Sequence, residues 1–228
     1  DILHFEIGDP DFSTPIDIVN ELDKQVKSGN TKYSISQGLL EFRELASEVT
    51  FGSRGFRPSV KQILVTPGAN AQIFYAVSVL VDKDEEVITT DPCFVSYDSV
   101  LRMLGIKNVK VPLAESNKFI ICASDLEKKI TNKTKLIILN SPSNPTGSII
   151  DKKTFEDIYD LAISKNIYIY SDEVYARMVY SDIDIDSNLS GVFFSPSTLD
   201  HCRKNILLSQ SFSKSYSMTG WRIGYAAG

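Results

Sequence analysis

Leu136-Ile137-Ile138-Leu139-Asn140-Ser141-Pro142-Ser143-Asn144-Pro145-Thr146-Gly147 joins an unbroken apolar run to a polar turn broken by prolines. A second stretch has the same design: Ile167-Tyr168-Ile169-Tyr170 runs into Ser171-Asp172-Glu173-Val174-Tyr175. Runs that are apolar or aromatic at every position suit strands covered on both faces, as in a parallel sheet. Between the two runs, Asp151 stands before Phe155, Ile158, Tyr159 and Ala162, a stripe at helical spacing. The aspartate predicts an N-cap, and the stripe predicts a core-facing helix. Strand, helix, strand is therefore the unit from which the rest of the chain is read.

Further strands are expected at Ile63–Thr66, Glu86–Thr90, Val109–Val111, Ile206–Leu208 and Arg222–Tyr225. Helices are expected from Pro15, a favoured first helical position, to about Ser28 with Gly29 as the stop. Others are expected from Leu39 to about Val49 and from about Asn70 to Val81, and Ser124-Asp125-Leu126-Glu127 reads as a capping box ahead of a short helix. Ser181–Leu199 is polar and irregular and reads as a long surface loop with room for a short helix. The alternation predicts an α/β fold: a mainly parallel, seven-stranded sheet with helices on both faces.

Composition narrows the function classes. With 228 residues, 43% hydrophobic and 23% charged, the chain is neither disordered nor collagen-like and is long enough for a sizeable core. A net charge of −5 argues against a broad nucleic-acid surface. The three cysteines, Cys93, Cys122 and Cys202, are widely spaced, and with only His4 and His201 they make no zinc motif or disulfide framework. Unpaired thiols point to the cytoplasm. No targeting or membrane segment is read; the longest near-apolar stretch, Phe74–Val81, is far short of the ~20 residues a span needs. The start without Met and the stop at Ala227-Gly228 suggest a piece of a longer protein.

In open α/β sheets ligands bind beyond the carboxyl ends of the strands. Pro67-Gly68-Ala69-Asn70, Asp91-Pro92-Cys93-Phe94, Asn140–Gly147, Ser171–Tyr175 and Ser209–Ser215 all follow expected strands. Singly these are turns, a helix cap and a solvated lysine. Together they bring complementary chemistry to one edge. Lys214 can form a Schiff base with an aldehyde. A carboxylate can hold a pyridine nitrogen protonated, and an amide and a phenol can bond a ring oxygen. A helix opening after a small-residue turn offers free N–H groups to a phosphate, joined by hydroxyls and the Arg222 guanidinium. These are the requirements for pyridoxal 5′-phosphate.

Ser-Phe-Ser-Lys-Ser-Tyr-Ser-Met-Thr-Gly-Trp-Arg-Ile-Gly-Tyr, residues 211–225, resembles the lysine signature of class I/II (fold type I) pyridoxal-phosphate aminotransferases, aspartate aminotransferase included. Ser-Asn-Pro-Thr-Gly and Ser-Asp-Glu-Val-Tyr stand in that family's order, and the likeness runs from Gly8-Asp9-Pro10-Asp11-Phe12 to Gly228. The resemblance implies that Lys214 binds the cofactor covalently and later shuttles the substrate proton. It implies that Asp172 pairs with the ring nitrogen, that Asn144 and Tyr175 bond the ring hydroxyl oxygen, and that Phe94 stacks on the ring. The N–H groups of Ala69 and Asn70, with Ser211, Ser213 and Arg222, would hold the phosphate. Tyr33 would reach the phosphate of a partner subunit in a homodimer, and Gly8 would lie near the substrate carboxylate. Cys93, His4, His201 and Trp221 read as incidental or packing residues.

The same resemblance implies residues 1–14 as an arm belonging with a small domain, residues 15–228 as the large cofactor-binding domain, and a C-terminal small domain missing from this chain. The arginine that clamps the substrate carboxylate in this family would lie beyond Gly228. The expected activity is amino transfer from an amino acid to a 2-oxo acid by a ping-pong mechanism. The alternatives are a carbon–sulfur (β-) lyase on the same fold, or an aminotransferase-like sensor domain of a transcription regulator.

Overall fold

The β-branched and aliphatic runs pair into one sheet. In the computed structural model, which describes residue 3 and residues 7–180 and 193–228, it has seven strands. They are β1 (Ile63–Thr66), β2 (Glu86–Asp91), β3 (Lys107–Pro112), β4 (Thr134–Asn140), β5 (Tyr168–Asp172), β6 (Ile206–Ser211) and β7 (Gly224–Ala227). Their order is β1-β7-β6-β5-β4-β2-β3. The β3, β2, β4, β5 and β6 neighbours are parallel, whereas β7 runs antiparallel to both β6 and β1. From β2 the chain winds outward to β3, and from β4 it winds the other way through β5 and β6. The winding therefore reverses between β2 and β4, the kind of crevice where α/β sheets bind ligands.

The six α-helices of the described residues are α1 (Ile16–Lys27), α2 (Leu40–Arg54), α3 (Ala69–Leu80), α4 (Val95–Leu104), α5 (Ala123–Glu127) and α6 (Lys152–Ser164). Strand residues alternate between two covered faces. Ile137, Leu139 and Ile169 pack with Leu126 of α5 and Phe155, Ile158 and Ala162 of α6. Leu136, Ile138 and Tyr170 pack with Ile73 and Val77 of α3 and Tyr97 and Leu101 of α4. Asp151 caps α6 as expected, accepting from the Thr154 N–H at 2.8 Å.

The differences from the sequence reading have local causes. Helix α4 was not anticipated: Val95, Tyr97 and Val100 are poor helix formers, and its stop, Gly105, stands in the left-handed region. Helix α2 continues past Val49 to Arg54, where left-handed Gly55 ends it. The 124–127 box is not a cap, because α5 already starts at Ala123 and no side chain caps it. Pro15 sits one residue before α1. Strand β7 starts at Gly224, because Arg222 has a φ of 55° that a strand cannot contain. Of the expected loop Ser181–Leu199, residues 181–192 lie outside the described residues. Its end holds the short helix that the reading allowed, a single 3-10 turn at Pro196–Thr198, but it is not on the surface: Ser195, Pro196 and Ser197 are buried, and Phe194 packs against the core.

Candidate active site

Strand register sets the site. Asn140 of β4 stands beside Asp172 of β5, which stands beside Ser209 of β6, all at the carboxyl edge. A cavity of about 630 Å³ opens above them. Gly8, Ala69, Asn70, Phe94, Asn144, Asp172, Tyr175, Ser211, Ser213, Lys214 and Arg222 all line it. Tyr33 does not; it is fully exposed on the segment before α2.

Asp172 forms the buried end of the cavity. The Tyr97 hydroxyl donates to its Oδ2 at 2.7 Å, and the Val174 N–H donates to its Oδ1 at 3.3 Å. Burial pushes its carboxyl up to about 6 against the pull of those two hydrogen bonds, with neighbouring Glu173 adding to the rise. A cationic partner in the cavity would offset that penalty. The Asn144 amide reaches the Tyr175 hydroxyl at 3.4 Å, so both groups point at one place. Asn144 is anchored by its backbone N–H, which donates to Asn140 Oδ1 at 2.7 Å, while the Asn140 amide donates to the Asp172 carbonyl at 3.0 Å. Phe94 is the residue before α4, and its ring meets Tyr97 edge-on with centroids 5.7 Å apart.

The opposite end is an anion cradle. Helix α3 opens at Ala69, so its first N–H groups lack intrahelical acceptors and face the cavity with a positive dipole end. Gly68 precedes it at φ +80°, and a Cβ there would meet Arg222 Nη2 at 2.5 Å. Only glycine lets the guanidinium lie against this turn. Arg222 is steadied by Nη1, which donates to the Thr219 carbonyl at 2.7 Å. Ser211 and Ser213 are buried beside it, and the Ser213 N–H donates to Ser211 Oγ at 3.1 Å.

Lys214 lies between the two ends, its Nζ donating to the Gly8 carbonyl. The N-terminal segment is laid across this loop: Thr219 Oγ1 donates to Asp9 Oδ1 at 2.7 Å, and Trp221 Nε1 donates to Thr14 Oγ1 at 3.0 Å. Trp221 is thus a packing and anchoring residue. His201 stacks on Phe56 at 5.3 Å, and neither lines the cavity. Sequence reasoning missed Tyr97, Asn140, Asp9 and Thr219. Asn140 closes a strand it had placed, and Asp9 and Thr219 lie within its motifs; Tyr97 carried no signal, because its helix was unread.

An amine, a buried carboxylate and an anion cradle around one cavity of a doubly wound sheet form a donor set that fits an anionic, aldehyde-bearing pyridine. The chain belongs to the aminotransferase class I and II family, whose pattern matches residues 1–228. It is 37% identical over 227 residues to an aromatic-amino-acid aminotransferase of Thermococcus litoralis, covering 99% of this chain and 56% of that protein. It is 36% identical over 225 residues to an aspartate aminotransferase of Pyrococcus horikoshii, covering 99% of this chain and 55% of that protein. Thermus thermophilus aspartate aminotransferase, solved with maleate, superposes with a TM-score of 0.90 at 32% identity, over 97% of this chain and 55% of that one. The chain thus spans a little over half the length of the relatives it matches. The family is pyridoxal-phosphate-dependent.

Proposed function

We propose that this chain is the cofactor-binding part of a pyridoxal-phosphate aminotransferase that moves an amino group from an amino acid to a 2-oxo acid. The observation that carries the reading is that Lys214, Asp172 and the α3–Arg222 cradle line one cavity. When bound, the cofactor supplies an aldehyde for amines and a pyridinium ring that takes up the electron pair of a broken Cα–H bond. Lys214 Nζ is the amine that would hold the cofactor's aldehyde, and as a free amine it would serve as base for the substrate Cα proton. Asp172 holds the ring-nitrogen proton. Asn144 and Tyr175 orient the ring through its hydroxyl, and Phe94 covers its face. The Ala69 and Asn70 N–H groups, Ser211, Ser213 and Arg222 hold the phosphate, and Gly8 borders the substrate.

The fully exposed Tyr33 fits a role in a partner's site, which supports a homodimer. Residues 1–14 belong with a small domain, and residues 15–228 form the large one. Three free thiols suit the cytoplasm, and among the described residues no helix is long and apolar enough to cross a membrane.

The test is to supply the full-length protein and cofactor with an amino acid, with and without an acceptor 2-oxo acid. A transaminase releases one 2-oxo acid per site without the acceptor and turns over with it; a lyase turns over without it. A Lys214→Ala variant with normal turnover sinks the reading.

A further inference from the structure

Glu173 lies between Asp172 and Tyr175 in sequence but does not line the cavity. It is wholly buried, and its carboxylate gathers three side chains. Arg54 Nε donates to Oε2 at 2.7 Å, Ser171 Oγ donates to Oε1 at 3.0 Å, and Ser195 Oγ donates to Oε1 at 2.6 Å. Its backbone is fixed as well: the N–H donates to the Ser209 carbonyl at 3.1 Å, and the carbonyl accepts from Gln210 Nε2 at 3.1 Å and from the Ala176 N–H at 3.0 Å. Arg54 is the last residue of α2, and its side chain is 4% exposed.

A buried ion pair is a poor source of stability, since the desolvation of both charges offsets their attraction, and apolar pairs of similar volume often serve as well. One Arg54 nitrogen, Nη2, is buried without a hydrogen-bond partner among the described residues, which adds to the cost. Stability therefore does not account for this pair. Its location does: one residue from the carboxylate and two from the phenol that meet the ring.

Building on the cofactor reading above, we propose that Glu173 and Arg54 are positioning residues, their buried pair fixing the 172–175 turn so that the Asp172 carboxylate and the Tyr175 hydroxyl meet the cofactor ring together. Helix α2, remote from the chemistry, thereby sets the geometry of the ring-binding end. The pair touches neither cofactor nor substrate.

The test replaces both charges at once, Arg54→Met with Glu173→Leu, in the full-length protein. Melting of the cofactor-free form is recorded beside a fluorescence titration with pyridoxal 5′-phosphate. The expected result is near-native melting with cofactor affinity weakened about tenfold or more, the scale of a small misplacement. Native melting with native affinity overturns the proposal. Should the double variant fail to fold, Ser195→Ala decides, since it removes one hydrogen bond to Oε1. Affinity about threefold weaker, the worth of one such bond, is expected, and unchanged affinity overturns the proposal. Failure of the unaltered protein to bind the cofactor would instead remove the reading on which this rests.

Discussion

Asp172 is the residue on which the site's electrostatics turn. Its carboxyl sits at about 6 because it is buried, well above an unfolded aspartate. Between roughly pH 4 and pH 6 the folded protein therefore holds a proton that the unfolded chain has released, so this group's stabilisation is lost as pH rises through that window. Asp172→Asn in the cofactor-free protein is expected to raise stability by roughly 1–3 kcal/mol at pH 7.5 and by almost nothing at pH 4. Urea unfolding at the two pH values measures this, and an equal change at both would refute it. The same substitution should weaken cofactor binding, because the protonated ring nitrogen loses its anionic partner. Tyr97→Phe acts through Asp172. Without the hydroxyl that favours the ionised carboxylate, the group should titrate higher still, and cofactor affinity should fall severalfold at pH 7. Carboxyl-labelled NMR titration checks the first part. The lysine, the aspartate and the asparagine–tyrosine pair were legible in the sequence because each follows a strand. Tyr97 was not: its bond to Asp172 spans 75 positions and exists only because α4 folds onto the sheet, where Tyr97 shares a buried cluster with Tyr170 of β5.

At the scale of elements, the turn before α3 governs the anion end of the cavity. Gly68→Ala is strained by φ +80° and puts a methyl 2.5 Å from the Arg222 guanidinium. It should weaken the affinity for pyridoxal 5′-phosphate about tenfold and lower stability by about 1–2 kcal/mol, a left-handed penalty plus the clash. Asp151→Ala is the contrast. It removes the α6 cap for about 1 kcal/mol and should leave cofactor affinity as it was. Paired melting and binding curves separate the two. All seven strands could be placed from short β-branched or apolar runs, β7 two residues too early, whereas helix ends drifted and α4 was lost. Apolar runs mark strands locally, but the extents of α2 and α4 are set by left-handed glycines at 55 and 105 and by packing on the sheet.

For the whole molecule, the exposed apolar surface is the telling feature. Helix α1 buries none of its residues and leaves Ile16, Leu22 and Val26 open, while α2 exposes Leu45 and Phe51. Surfaces of this kind are interaction sites in soluble proteins. In the proposed homodimer Tyr33 serves the partner's cavity. Tyr33→Phe in the full-length protein should therefore weaken cofactor binding severalfold only at concentrations where sedimentation shows a dimer. Lys214, Asp172 and the α3–Arg222 cradle are proposed to form one pyridoxal-phosphate site. The most direct test is to mix the protein with the cofactor, reduce with borohydride and map the labelled peptide by mass spectrometry. Label concentrated on Lys214 is expected; label scattered over surface lysines, or none on a folded full-length protein, would contradict a single site.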